Sequence, residues 1–193
     1  MDVYEAIEKR RTVRGFKRGV SEEQLRKIIL TGTKAPSGSN VQPWEFIIIE
    51  DPNVIGQLAE YKYQQTLKMP LSPQKAIQQK NAYQNCTVIA VCNKKGHGNE
   101  RKPWMNIENV ASCWMCIENM ALAATADGLG VMPSIFREEH KVAAEKLLGI
   151  PEDYELTTIL LIGVQKGSPG KREFGVARPD FSWLHRDRFG ALA

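Results

Sequence analysis

Two stretches of this 193-residue chain carry side chains suited to holding a polar ligand. The first is Arg10-Arg11-Thr12-Val13-Arg14, which sets three guanidiniums and a hydroxyl within five residues. In an extended segment alternate side chains share a face, so Arg10, Thr12 and Arg14 point together while Arg11 points away. Guanidinium forks match phosphate oxygens bidentately and the threonine adds a hydroxyl donor, which together make an anion cradle. A solvated basic turn is the competing account of the same residues. The second stretch runs from Ala35 to Trp44 (Ala-Pro-Ser-Gly-Ser-Asn-Val-Gln-Pro-Trp) and straight into Glu45-Phe46-Ile47-Ile48-Ile49. Pro36 and Pro43 fix φ at either end, and Gly38 admits backbone conformations that a Cβ forbids. Ser37, Ser39, Asn40 and Gln42 both donate and accept hydrogen bonds, which suits a ligand with ring nitrogens and carbonyls. A capped helix end turning into a strand would use much the same residues.

Around these stretches the chain has room for a single domain, 1–193, with one buried core. A hydrophobic content of 42% and a charged content of 25% are ordinary for a globular protein. The 26 basic and 22 acidic residues leave a net charge of +4, compatible with an anionic ligand but not demanding nucleic acid. Nucleic-acid arms carry longer basic runs, and neither a recognition helix nor a set of stacking aromatics is evident, so no nucleic-acid partner is expected. Met1 to Glu5 has no basic or apolar leader, and no apolar run approaches the roughly 20 residues that cross a membrane. A cytoplasmic protein with no membrane partner is the expectation, and its cysteines (Cys86, Cys92, Cys113, Cys116) are expected to be reduced thiols.

The positioning elements follow from periodicity. Val3 to Arg10 reads as a short helix with Val3, Ala6 and Ile7 on one face. Ser21-Glu22-Glu23-Gln24 is a capping box opening a helix through Leu25, Ile28 and Ile29 towards Lys34, stopped by Pro36. A strand is expected over Glu45 to Glu50, then a helix from Asp51-Pro52 with Val54, Ile55, Leu58 and Ala59 inward. Residues 61–85 are polar and Gln-rich, with Pro70 and Pro73, and read as helical pieces flanking a mobile loop, a lid or substrate edge. Cys86 to Cys92 suits a strand buried on both faces. Asn106 to Asp127 is a long helix, apolar almost all round, that must be buried in a core or between subunits. Its Cys113-x-x-Cys116 lies inside the helix with no second ligand pair, which favours core packing over redox or zinc chemistry, and no metal site is expected. Gly128-Leu129-Gly130 ends that helix with a glycine cap. Val131 to Phe136 follows as a short strand or loop, Glu138 to Leu148 as a helix and Leu156 to Val164 as a central strand. The polar tail, 165–193, carries Phe181, Trp183, Leu184 and Phe189, anchors that wrapping a partner subunit would bury.

Taken in order, these segments resemble the FMN-dependent nitroreductase family. Arg10-Arg11-Thr12-Val13-Arg14 is similar to its Arg-Arg-Ser-x-Arg signature, with Thr for Ser. Ala35 to Trp44 is similar to its Ala-Pro-Ser-x-x-Asn-x-Gln-Pro-Trp loop. Gly128-Leu129-Gly130 stands where the family has Gly-Leu-Gly after the central helix. Arg178-Pro179 through Leu184-His185-Arg186-Asp187-Arg188-Phe189-Gly190 resembles its C-terminal ending. The resemblance implies an α+β fold with a mixed central sheet flanked by helices, in an intertwined homodimer with FMN at each of two interface sites. It places Arg10, Thr12 and Arg14 on the FMN phosphate with Arg11 beside them. Arg178 is expected to return to that phosphate, with Arg172 as its rival. Pro36, Ser37, Gly38 and Asn40, from the other subunit, meet the ribityl chain or ring, with Gln42 nearby. Pro133, Ser134 and Ile135 lie along the ring and supply backbone donors near its reactive nitrogen.

The implied activity is ping-pong reduction of a small-molecule electron acceptor (a nitroaromatic, a quinone or a related compound) with NADH or NADPH as donor. No catalytic acid or base is named, because the cofactor carries the chemistry. The alternative is a non-catalytic flavin-binding protein of the same fold, serving storage or sensing. The family often has glycine near Ile135 or Phe136, and this chain does not.

Overall fold

Residues 154–165 (Tyr-Glu-Leu-Thr-Thr-Ile-Leu-Leu-Ile-Gly-Val-Gln) are β-branched and apolar, and a run of that kind can only lie between two covering layers. The computed structural model, which describes residues 1–96, 103–167 and 183–189, places this strand at the centre of the sheet. We number the strands β1 (Phe16–Arg18), β2 (Trp44–Ile49), β3 (Thr87–Lys94), β4 (Gly130–Ser134) and β5 (Tyr154–Gln165). The helices are α1 (Val3–Lys9), α2 (Glu22–Gly32), α3 (Pro52–Leu67), α4 (Pro73–Asn81), α5 (Pro103–Ala126) and α6 (Glu138–Leu147). The strand order is β1-β5-β3-β2, with β4 also pairing β5, and every ladder is antiparallel. One parallel bridge, Thr12 to Val131, adds the mixed character expected of the sheet among the described residues.

Alternate residues of β3 and β5 feed two different cores. Ile89, Val91, Leu160 and Ile162 pack against α2 and α5 through Leu25, Ile28, Ile117 and Met120. Val88, Ala90, Ile159 and Leu161 pack on the other face with Leu58 and Ala59 of α3, Tyr83 and Ala144 of α6. Each such side chain contributes about 1.5–3 kcal/mol when fully buried, so the two-faced strand pair is the main source of stability. The expected both-face burial of the 86–92 run is thus present as β3.

Local signals set the helix ends as expected. Ser21 and Gln24 form the reciprocal capping box of α2, Asp51 caps α3 with Pro52 in its first turn, and Gly128 takes φ 75° after α5. Cys113 and Cys116 are fully buried, Cys113 Sγ lies 3.8 Å from the Cys92 carbonyl oxygen, and all four cysteines are free. Burial pushes the Cys92, Cys113 and Cys116 thiols up to about 12, so the CxxC is core packing.

The structure refines three of these expectations. The 61–85 stretch forms helical pieces on either side of a short connection: α3 runs on to Leu67 and buries Lys62, Gln65 and Thr66, while Ala76, Ala82 and Tyr83 anchor α4 and the turn behind it. The apolar face of α1 is only partly used, because Ala6 is buried whereas Val3, Tyr4 and Ile7 are exposed. The near-uniform apolarity of α5 leaves Trp104, Ile107 and Met115 exposed, with Ala111 on the same side. Of the tail anchors, Trp183, Leu184 and Phe189 are exposed, and Phe181 lies outside the described residues. No helix among the described residues is long and apolar enough to cross a membrane.

Gly163 sits in β5 opposite Gly130 of β4, and an added Cβ would lie 2.5 Å from the Arg18 carbonyl oxygen and 3.1 Å from the Phe16 ring. Backbone cannot yield as a side-chain tip can, so Gly163→Ala should cost about 1–3 kcal/mol by overpacking. Chemical denaturation would register this as a lower midpoint with an unchanged slope; a wild-type midpoint would show that β1 is free to move away.

Candidate cofactor site

The Arg10–Arg14 segment leaves α1 and crosses the end of the sheet beside β4. Val13 N–H donates to the Val131 carbonyl at 2.9 Å, and Thr12 bridges Val131, so the segment is extended as its alternation demands. The close approach needs Gly130: an added Cβ there would fall 2.8 Å from the Val13 side chain. Thr12 and Arg14 are exposed on one side. Arg11 folds back instead, its Nη1 donating to the Glu8 and Arg10 carbonyls at 2.5 and 2.7 Å, where it caps the negative end of α1. Arg10 is held through Nε by Glu118 of α5 at 2.9 Å.

Arg14 opens onto a cleft of about 440 Å³ that residues 61–85 were expected to edge. Gln74, Gln78 and Asn81 line it from α4, with Lys166 beyond β5, and among the described residues none of its lining is acidic. Sequence reasoning missed these contributors, although the 74, 78, 81 spacing puts the amides on one helix face. The donor set fits FMN: cations for a phosphate, and amides for the edge of a ring bearing nitrogens and carbonyls.

The 35–44 loop closes on itself. Ser37 Oγ accepts from Gln42 N–H at 3.0 Å, and Gln42 Nε2 donates to Asn40 Oδ1 at 3.2 Å. The left-handed φ values fall on Ser39 (48°), Asn40 (56°) and Gln42 (51°), not on Gly38. Gly38 answers a need for space, since a Cβ there would meet the Glu108 carboxylate of α5 at 3.1 Å. Three non-glycine residues in the left-handed region store strain of about 1–3 kcal/mol each, of the kind that gathers at ligand sites. Pro36, Gly38, Asn40 and Gln42 are exposed and Ser37 is half-buried. The loop and the arginine segment thus both rest on α5, at Glu108 and Glu118, about 15 Å apart along its axis.

The turn after β4 brings together Pro133, Ser134 and Ile135. Ser134 Oγ accepts from the Tyr83 hydroxyl at 2.9 Å, and because Ser134 is buried the turn offers a ligand its backbone and the exposed Ile135 side chain. Beneath the turn lies Lys62, 8% exposed, whose amine donates to the Ile135 carbonyl at 2.9 Å and sits 5.9 Å from the Phe136 ring centre. Gln65 Nε2 donates to the same carbonyl at 3.1 Å, and its Oε1 accepts from Arg137 N–H at 2.7 Å. Burial, with the guanidiniums of Arg137 and Arg14 nearby, lowers the Lys62 amine to about 8. Neither residue stood out in the sequence, where a polar helix gives no sign of which face is covered. Arg172 and Arg178 lie outside the described residues. No cluster of metal-ligating side chains occurs among the described residues.

A lysine lowered from 10.5 to about 8 binds fewer protons folded than unfolded between those values, so its contribution to stability rises with pH across that window. At neutral pH its burial costs up to about 3 kcal/mol. Lys62→Met should therefore leave the ligand-free chain at least as stable as wild type near pH 7, with the difference shrinking towards pH 10. Urea midpoints at both pH values test this; a variant equally destabilised at each would mean the amine is not held against its charge.

A family model described as "Nitroreductase family" matches residues 7–164. A protein of Archaeoglobus fulgidus, provisionally named NADH dehydrogenase/NAD(P)H nitroreductase, is 29% identical over 189 residues, covering 93% of this chain and 94% of its own. An iodotyrosine deiodinase of Thermotoga neapolitana is 29% identical over 176 residues, covering 83% and 87%. The solved structure of an iodotyrosine deiodinase bound to FMN and 3-iodo-L-tyrosine shares the fold at a TM-score of 0.69 and 24% identity, covering 92% of this chain and 98% of that one. With a family model spanning most of its length and the fold to match, this chain belongs to the nitroreductase family.

Proposed function

We propose that the chain is an FMN-dependent oxidoreductase that takes electrons from NADH or NADPH and passes them to a small-molecule acceptor, a nitroaromatic, a quinone or a related compound, in a ping-pong cycle. The observation that carries this is the cleft at Arg14, whose lining offers a guanidinium, an ammonium and a row of amides without a carboxylate. FMN supplies the hydride and electron chemistry when bound. The chain's own residues bind and orient it. Arg10, Thr12 and Arg14 hold the phosphate, with Arg11 steadying the end of α1 and Arg178 or Arg172 completing the charge. Gln74, Gln78 and Asn81 face the ring edge, and the backbone of Pro133, Ser134 and Ile135 borders the ring.

The site belongs to a homodimer in this proposal. Pro36, Ser37, Gly38, Asn40 and Gln42 come from the second copy, because one chain holds its loop and its arginine segment about 15 Å apart along α5. Trp104, Ile107 and Met115 of α5, with Val3, Tyr4 and Ile7 of α1, form the exposed apolar surface such a dimer would cover. The tail, 165–193, is proposed to wrap the partner and bury Trp183, Leu184 and Phe189. Similarity to iodotyrosine deiodinases widens the acceptor class to aryl halides, which the same reduced flavin would dehalogenate.

The visible spectrum of the purified protein tests the reading first. A flavin spectrum bleached anaerobically by NADH or NADPH, and restored by a quinone, nitroaromatic or aryl iodide, supports turnover and ranks the acceptors. Bound flavin that neither nucleotide reduces would instead favour storage or sensing. Arg10→Ala with Arg14→Ala should give a folded protein that loses FMN at least 100-fold more readily; full occupancy would remove both residues from the phosphate. The double variant Ile107→Glu with Met115→Glu, or deletion of residues 176–193, should convert dimer to monomer by light scattering, and a stable dimer in both would place the interface elsewhere.

A further inference from the structure

Lys62 is a buried ammonium whose described surroundings include a carbonyl, a ring face and two guanidiniums, an arrangement that costs the fold stability and returns none through an ion pair among the described residues. A residue of that kind is kept for what it holds. What it holds is one peptide plane. Lys62 and Gln65, on successive turns of α3, both donate to the Ile135 carbonyl oxygen, at 2.9 and 3.1 Å. Gln65 also accepts from the Arg137 N–H at 2.7 Å, so the peptides on both sides of Phe136 are tied to the same helix. The turn ends in strain, with Glu138 at φ 49°, and such a backbone persists only where its surroundings over-determine it.

The peptide between Ile135 and Phe136 is trans, and in a trans peptide the carbonyl and the following N–H point in opposite directions. Drawing the Ile135 oxygen inward onto α3 therefore turns the Phe136 N–H away from α3. We propose that Lys62 and Gln65 are positioning residues that aim the Phe136 N–H at the edge of the bound flavin, with the Lys62 charge behind that peptide favouring the electron-rich reduced cofactor. The clamp answers the absence of glycine at Ile135 and Phe136: side chains from another helix fix a peptide that a more permissive residue would let rotate. This rests on the flavoprotein reading above for the identity of the ligand, but the aiming of the peptide does not.

The test compares wild type, Lys62→Met and Gln65→Leu. Amide exchange of a peptide covering Phe136 is measured on the ligand-free chain, and the affinities for oxidised and reduced FMN are measured on the loaded one. Loss of either clamp member should speed exchange there about tenfold while segments in β3 and β5 remain protected. Both variants should bind oxidised FMN more weakly. Lys62→Met alone should also lower the preference for reduced over oxidised FMN about tenfold, which for a two-electron couple is about 30 mV in midpoint potential. A purely structural role would weaken both redox forms alike and leave the potential unmoved, which would overturn the electrostatic half of the proposal. Wild-type exchange at Phe136 in both variants would overturn the clamp itself. Failure of the wild-type protein to take up FMN would sink the flavoprotein reading while the exchange result still decides whether the clamp exists.

Discussion

Strand β5 must be covered on both faces and paired on both edges, and most of the molecule is an answer to that demand. Its alternating side chains recruit α2 and α5 on one side and α3 and α6 on the other. Its edges take β3, β4 and β1 at successive points along its length. The glycines Gly130 and Gly163 stand opposite each other where those strands converge, and each is crowded by a neighbouring segment that a Cβ would strike. That crowding brings Val13 onto β4 and so presents Thr12 and Arg14 at the end of the sheet.

The proposed site is consequently a rim feature, its pieces far apart in sequence. The arginine segment is delivered by β4, the amides by α4, and the turn at 133–137 by the grip of α3. At the 133–135 turn the Ser134 hydroxyl is buried and accepts from Tyr83, so backbone and the Ile135 side chain are what faces outwards there. Chemistry in such a place falls to a bound cofactor, with the protein contributing charge, orientation and exclusion of water.

Much of this could be read from the chain because the signals were local. The Ser21 capping box, Pro52 after Asp51, the glycine after α5 and the unbroken apolar runs of β3 and β5 each act within a few residues of themselves. The ordered motifs at 10–14, 35–44 and 128–130 carried the family resemblance for the same reason. What escaped depended on contacts across the fold. Strand β1 is three residues long with only Phe16 buried, too short for any periodicity. Lys62 and Gln65 are polar residues on a polar helix, and their burial is decided by a turn some 70 positions later. The glycine of the 35–44 loop was credited with torsional freedom, whereas the left-handed torsions lie on its neighbours and the glycine makes room for Glu108.

The four cysteines have a use that none of their chemistry suggests. Three are sealed in the interior and Cys86 is half-buried, and burial raises all four thiols to about 12. Almost no thiolate is then present at neutral pH, so an alkylating reagent reacts slowly with Cys86 and must wait for the structure to open at the three sealed cysteines. Cys86 immediately precedes β3, Cys92 lies within it, and Cys113 and Cys116 lie inside α5. Their labelling rates would act as built-in clocks, reporting separately on opening of the interior strand β3 and of the long helix α5 without any engineered probe.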